Sequence, residues 1–389
     1  MDTYLIRKLL LMKKYLLLLL LLGVLLACSE KAQETQSEAY IPELVITDSL
    51  VIDNLTQLAL IDVREDYSEF LFYDWKIDEL LRVSATGEIL ASANLSEDGK
   101  DSFKTRYFAT ADYSGEDEIL ITTHAGVFIY DLDFILKEEK PIDFSLVTRT
   151  MGGSNAAEVY KDYLYTFSVQ NDEEEKLFNS DEYSTAYPFL TIRDLNSLEI
   201  IKSGYIPEQS LMATNPGEFL SLDPIVRFTE GEIFALFPNS PELYVYDLPT
   251  LELKSFIDLG PDDHFKKIKP LNKDINFDGF FKSLASSQYT NYAFSNGYLI
   301  TQYEGAAPQD EVDALPKDIV GGTEFEALVK KYKEKQFYQI FKGGEKLWEG
   351  SWDVNLMSVR NLLYSNAKPG EDPDAVEKDM QTFYFYELK

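Results

Sequence analysis

The sequence predicts an all-β chain folded as a six-bladed β-propeller, and three observations carry that expectation. One strand–turn–strand phrase recurs six times, a second, nearly continuous apolar phrase precedes several of its copies, and an unmatched strand stands at each end of the series. Short runs rich in β-branched and aromatic residues, bounded by polar turns, signal strands, and their recurrence every few tens of residues signals a radial repeat.

In chain order, residues 1–27 read as a signal peptide. Lys13 and Lys14 give it a positive start, and Tyr15 to Leu26 is an almost uninterrupted apolar run. That run is about half of the ~20 residues a permanent membrane helix needs. It ends in Leu25-Leu26-Ala27-Cys28, which resembles the lipobox of bacterial lipoproteins. The resemblance implies cleavage before Cys28 and acylation of its thiol, which makes Cys28 the expected lipidation site and membrane anchor. Each buried CH₂ of an acyl chain contributes roughly 0.8 kcal/mol, so more than one chain gives stable anchoring. The plainer alternatives are an ordinary signal peptide or a transmembrane anchor. Against them, the only cysteine of the chain stands where the lipobox needs it. Met12-Lys13-Lys14 looks a more typical start than Met1, which would make residues 1–11 an upstream extension. Residues 28–42, polar from Ser29 to Tyr40, read as a flexible tether.

Composition bounds the rest. The chain holds 36 Lys and Arg against 67 Asp and Glu; removing residues 1–27 takes four bases and one acid, leaving 32 and 66 and a formal charge of −34. Such a surface repels nucleic acid and anionic headgroups. With 45% apolar residues, 25 Phe and 25 Tyr, the chain can fill a large core. Once Cys28 is acylated, neither a disulfide nor a cysteine-based zinc site can form within the mature chain.

Residues 43–389 are expected to be the propeller. The phrase Leu243-Tyr244-Val245-Tyr246-Asp247-Leu248 is echoed at Gly126 to Leu132, at Leu190 to Glu199 and at Phe383 to Leu388, and more loosely at Leu80 to Glu88 and Phe337 to Glu345. The apolar phrase appears as Glu118 to Thr122, Asp162 to Thr166, Glu232 to Leu236 and Gly297 to Thr301, and its lack of alternation fits strands buried on both faces. Glu43 to Val51 has no partner nearby, while the chain ends on a strand. Joining the two in one sheet would complete a sixth blade and remove an exposed edge. Seven blades is the fallback, because the interval from Asp247 to Lys342 is long.

Through these strands the chain resembles the TolB-like six-bladed β-propeller lipoproteins of diderm bacteria, many of unknown function. The resemblance covers nearly all the mature chain, but its motifs are structural and carry over no catalytic residue. It also implies that b–c hairpins and d–a links of the blades open on one face. The longest interruptions, Gln170 to Tyr187, Tyr303 to Gln336, Asn366 to Gln381 and the link Pro261 to Leu284, are therefore expected together there. Their net charges are −5, −3, −3 and +1, giving an acidic face with one basic sector. Thr323 to Glu326 has the pattern of a capping box before a short charged helix reaching Lys335.

Candidate chemistry is sparse. Asp274, Asn276 and Asp278, followed by Gly279, match the first half of a calcium loop, which makes calcium the one cofactor to weigh and these three its metal ligands. The second half fails, since Lys282 and Ala285 stand where later ligands belong, so a polar turn is the bland alternative. His124 is placed in a b–c turn, but no G-x-S-x-G elbow supplies a nucleophile for it. His264, after Asp262-Asp263, reads as a partly paired surface imidazole. Trp348 and Trp352 could offer a sugar-stacking platform, or pack between blades. Acid runs such as Glu173 to Glu175 read as solvated loops.

Two functions follow. The first is an envelope-anchored binding or protein-interaction module, not an enzyme, that meets an envelope protein, peptide or glycan. It would sit as an outer-membrane lipoprotein, facing the periplasm or the cell surface. The second is a hydrolase or lyase with a carboxylate-lined or cation-assisted site in the central funnel. Inward-facing acids gathered around a basic residue, or an apolar plug, would discriminate between them.

Overall fold

The computed structural model describes residues 42–389 apart from 104, 106–107, 147–156, 168, 171–185, 187, 216–217, 220–222, 230, 249, 270–278, 280–281, 317–321 and 372–379. Strand β1 (Leu44–Ile52) comes first. Blade 1 follows as β2 (Leu58–Val63), β3 (Glu69–Asp74), β4 (Glu79–Ser84) and β5 (Ile89–Asn94). Blade 2 is β6 (Phe108–Ser114), β7 (Glu118–Thr123), β8 (Gly126–Asp131) and β9 (Leu136–Pro141). A two-residue ladder, β10 (Ser145–Leu146) with β13 (Val169–Gln170), lies beside blade 3 in sequence. Blade 3 is β11 (Ala157–Tyr160), β12 (Tyr163–Thr166), β14 (Leu190–Asp194) and β15 (Ile200–Gly204). Blade 4 is β16 (Ile225–Thr229), β17 (Glu232–Leu236), β18 (Glu242–Asp247) and β19 (Leu253–Asp258). Blade 5 is β20 (Gln288–Ser295), β21 (Tyr298–Glu304), β22 (Gln336–Lys342) and β23 (Glu345–Gly350). Blade 6 is β24 (Met357–Val359), β25 (Leu362–Ser365) and β26 (Gln381–Leu388), completed by β1.

Each blade is a four-stranded antiparallel sheet in simple hairpin order, so the fold is the expected six-bladed propeller. The closing strand is also as expected: β1 runs antiparallel to β26 from Leu44 opposite Leu388 to Ile52 opposite Gln381. The repeated phrases are the third strands, and the apolar phrases the second. Buried runs such as Phe70 to Asp74 and Ile119 to Thr123 place those second strands inside, while β5, β9 and β19 are largely exposed on the rim.

Apolar side chains seal the seams between blades. Phe70 and Phe72 of blade 1 meet Phe385 and Phe383 of blade 6, with ring centroids 5.4 and 4.8 Å apart. Tyr160 of blade 3 stacks on Phe228 of blade 4 at 5.1 Å, and Phe234 of blade 4 meets Phe294 of blade 5 at 4.6 Å. Rings bury the largest apolar area per residue, which is why a chain with 50 Phe and Tyr can hold six thin sheets together. Gly87, in the turn after β4, has φ +86° and lies against the backbone carbonyl of Val51 in β1, a close approach that only glycine allows.

The long interval that suggested a seventh blade is filled by excursions. Helix α1 (Leu211–Thr214) lies earlier, between blades 3 and 4, while α2 (Gln309–Asp313) and α3 (Thr323–Lys333) fall within the interval. Helices α2 and α3 form the b–c insertion of blade 5. They pack through Val312, Phe325 and Leu328 on Ile268, Leu284 and Ala285 of the link from blade 4, so these two excursions share a face as expected. The insertion at 170–187 lies mostly, and that at 366–381 half, outside the described residues. One local expectation fails. Thr323 is inside α3 and Gly322 occupies its cap position without a side-chain bond, so no capping box forms. Acids Glu324 and Glu326 in the first turn and lysines in the last complement the helix dipole instead.

Candidate functional site

The inner strand of every blade carries a polar residue where the hydrophobic pattern calls for none. Blade 1 supplies Asp62, blade 2 Asp112, blade 3 Glu158, blade 4 Arg227, blade 5 Asn291 and blade 6 Ser358, with Arg360 in the turn that follows it. Asp112, Glu158 and Arg227 stand on the same rung, the third from the inner turn, opposite Leu120, Tyr165 and Phe234. The propeller's symmetry therefore brings together, around its axis, residues scattered over 300 positions of the chain.

One side of this ring is closed by direct bonds. The Arg360 guanidinium donates to both oxygens of Asp62 at 2.7 and 3.0 Å, and the backbone N–H of Tyr113 adds a third donor at 2.8 Å. This fork joins blade 6 to blade 1 around a carboxylate that is only 4% exposed. Arg360 has φ 52° in the inner turn of blade 6, a position filled by Gly115, Lys161 and Asn296 in other blades with the same positive φ, so its backbone is a feature of the turn. Across the ring, Arg227 donates to the Asn291 side-chain oxygen at 3.2 Å, and the Ser358 hydroxyl donates to the same oxygen at 3.0 Å.

The other side is left open. Asp112 accepts only a long bond from the Thr110 hydroxyl at 3.4 Å. Glu158 has no hydrogen bond or ion pair among the described residues, although Arg227 is its strongest charge partner. The Nε of Arg227 is buried without an acceptor. Asp112 and Glu158 are enclosed by protein yet keep partial solvent contact, as groups lining a narrow bore do. Burial pushes the Glu158 carboxyl up to about 7; Arg227 and Arg360 pull it down, and Asp62 pushes it further up. Burial, then the negative charges of Asp62 and Glu158, raise Asp112 well above the ordinary carboxylate range. A low-dielectric bore disfavours charge unless an opposite charge sits against it, and here none does.

Sequence reasoning did not single out this ring. Its signal in blades 1 to 4 was a charge in the strand before the second strand, as in Leu58-Ala59-Leu60-Ile61-Asp62-Val63 or Ile225-Val226-Arg227-Phe228. Among the residues it did single out, Cys28, Asp274, Asn276 and Asp278 lie outside the described residues. Among the described residues, no group of three or more His, Cys, Asp or Glu is placed to hold a metal. His124 is exposed in the b–c turn of blade 2, as expected, and away from the ring. His264 is paired, with Nδ1 2.6 Å from Asp262, and stacks on Phe337 at 4.5 Å. Behind it, the Tyr303 hydroxyl donates to Glu349 at 2.6 Å, Lys346 reaches the same carboxylate at 2.6 Å, and Gln339 donates to it at 3.1 Å. Both oxygens of Glu349 are occupied, one of them also by the Asp262 backbone N–H at 2.9 Å, so the cluster fastens the link from blade 4 onto blade 5. Trp348 and Trp352 stack on each other at 4.9 Å, and Trp352 lies on Tyr338 at 4.8 Å; both are half-buried packing partners of blade 5.

No family model matches the chain, and no curated protein matches it. Solved structures do. A member of the DUF4221 family from Bacteroides vulgatus aligns with a TM-score of 0.62 at 12% identity, covering 90% of this chain and 99% of that one. A protein named as exported, from Bacteroides fragilis, aligns with a TM-score of 0.52 at 13% identity, covering 90% and 96%. At such identities the likeness is one of fold, and it places this chain among six-bladed β-propellers.

Proposed function

We propose that this protein is an envelope-anchored lipoprotein whose propeller is a binding module, with its ligand seat in the polar bore of the ring. The open half of the ring carries this reading: Asp112 and Glu158 are enclosed with no ion pair among the described residues, and Arg227 keeps a buried Nε without an acceptor. Leaving such groups unsatisfied costs on the order of 1–3 kcal/mol each, a cost a ligand removes on binding. The lipobox resemblance at Cys28 supports the anchor, and the exported neighbour of the same fold supports an envelope location. Envelope proteins, peptides and glycans belong to this proposal as the candidate partners. Calcium at Asp274, Asn276 and Asp278 belongs to this proposal as a cofactor.

One observation favours a second reading, a hydrolase or lyase in the funnel: a carboxyl at about 7, as Glu158 has, suits a general acid. Binding is the better fit because the ring lacks the complementary base. Asp62 is taken up by Arg360 and Tyr113, and Asp112 is pushed toward its neutral form.

A thermal-shift screen of the full chain in detergent tests the proposal, using divalent cations, glycans, envelope peptides and small charged metabolites. A ligand at a hundred times its Kd stabilises by about 2.7 kcal/mol. A class that stabilises the wild type but not the Asp112→Asn/Glu158→Gln variant is expected. A class that stabilises both equally would remove the bore as the seat.

A further inference from the structure

From the order of charges around the bore, we infer that the seat takes a small zwitterion of the α-amino-acid type, its ammonium group between Asp112 and Glu158 and its carboxylate on Arg227. The inference rests on reading the bore as a ligand seat. Around the ring the charges run acid, acid, acid, base, amide, base from blade 1 to blade 6. The outermost acid and base, Asp62 and Arg360, meet across the closure and cancel. Asp112 and Glu158 on adjacent blades remain, followed by Arg227 on the next.

Glu158 and Arg227 share a rung on neighbouring blades, yet they form no ion pair at 4.0 Å or less. Asn291 and the carbonyl of Val226 hold the guanidinium at 3.2 Å each, with the ring of Tyr292 beside it. Arg227 is thereby fixed with Nε unsatisfied. An opposite pair held apart in an enclosed bore is complementary to a molecule carrying the reverse pair on a single carbon. An ammonium group offers three donors to the two carboxyls, and a carboxylate accepts from the guanidinium. A lone cation would leave Arg227 unanswered, and a lone anion would face Asp112 and Glu158. Of the charged groups facing the seat, Asp62 and Arg360 already neutralise each other. Seating the ammonium therefore drives the proton off Glu158, and binding weakens as the solution is acidified.

Isothermal titration of the full chain in detergent tests this with glycine, L-alanine and D-alanine, beside methylamine as the cation alone and acetate as the anion alone. Repeating it in two buffers of different ionisation enthalpy counts the protons released. The amino acids are expected to bind at least about tenfold more tightly than methylamine or acetate, equivalent to 1.4 kcal/mol, with net proton release near neutral pH. Glu158→Gln is expected to weaken glycine about tenfold or more and to reduce the proton release. Arg227→Gln is expected to erase the preference of glycine over methylamine; melting curves establish that both variants fold. Methylamine binding as tightly as glycine, or an Arg227→Gln variant that keeps the preference, overturns the zwitterion. If no amino acid binds while another ligand stabilises the chain through Glu158, the zwitterion falls and the binding reading stands. If neither occurs, both fall.

Discussion

Replacing Arg360 with Gln should loosen the ring at the point where the propeller closes. The side chain makes two charge-assisted bonds, at 2.7 and 3.0 Å, to a carboxylate that is 4% exposed. Removing one partner of a buried pair costs roughly 3–5 kcal/mol, because the other charge is left in a medium that cannot solvate it. Two features lower that figure here. The Arg360 side chain is 40% exposed, so solvent screens part of the attraction, and Asp62 keeps the Tyr113 N–H at 2.8 Å. The expected loss is about 2–3 kcal/mol. At ~2–4 °C per kcal/mol for larger domains, the Tm should fall by roughly 4–12 °C in a circular-dichroism melt. A double-mutant cycle with Asp62→Asn separates the pair from its surroundings, and the coupling should exceed about 1 kcal/mol. A single variant within about 0.5 kcal/mol of wild type, or additive effects in the double variant, would refute the role of the fork in closure.

Three further predictions follow from particular residues. Gly87→Ala forces a β-carbon toward the Val51 carbonyl at φ +86°, so the midpoint of urea unfolding should drop by the equivalent of at least about 2 kcal/mol; a change under about 0.5 would show that the turn relaxes freely. The Glu158 carboxyl titrates higher in the folded chain than its ordinary 4.5, so the native state holds the extra proton and stability falls as pH rises from about 4.5 through about 7. Its slope is at most about 1.4 kcal/mol per pH unit, and the Tm of Glu158→Gln should decline less steeply with pH than that of wild type; parallel curves would contradict the burial of this group. Cys28→Ser should abolish metabolic labelling with palmitate and shift the protein from the membrane to the soluble fraction; retained labelling would rule out Cys28 as the anchor.

Much of the fold was legible because second and third strands are the buried ones. Val245, Tyr246 and Ile121 must be apolar to pack between neighbouring sheets, and that requirement repeats in every blade. The closing strand was legible because Leu44 to Ile52 had no other partner. Outer strands such as Leu136–Pro141, with Lys and Glu on an exposed rim, carry no apolar pattern and left only a gap between repeats. The candidate site was hidden for a different reason. Asp62 and Arg360 are 298 residues apart, and only closure of the ring makes them neighbours. A single charge in an apolar strand reads locally as an interruption, and its meaning comes from five other interruptions on the same axis. The helix at Thr323–Lys333 was legible, but its cap was not, because burial of Phe325 and Leu328 sets its start rather than a side-chain bond.

Burial without an opposite charge in contact makes the Glu158 carboxyl titrate near neutral pH. Difference infrared spectroscopy of the protonated-carboxyl band tests it most directly, in wild type and Glu158→Gln, across about two pH units on either side of neutrality. A band that disappears with a midpoint near 7 in wild type and is missing from Glu158→Gln is expected. Identical spectra for the two proteins, with no carboxyl titrating near neutrality, would contradict it.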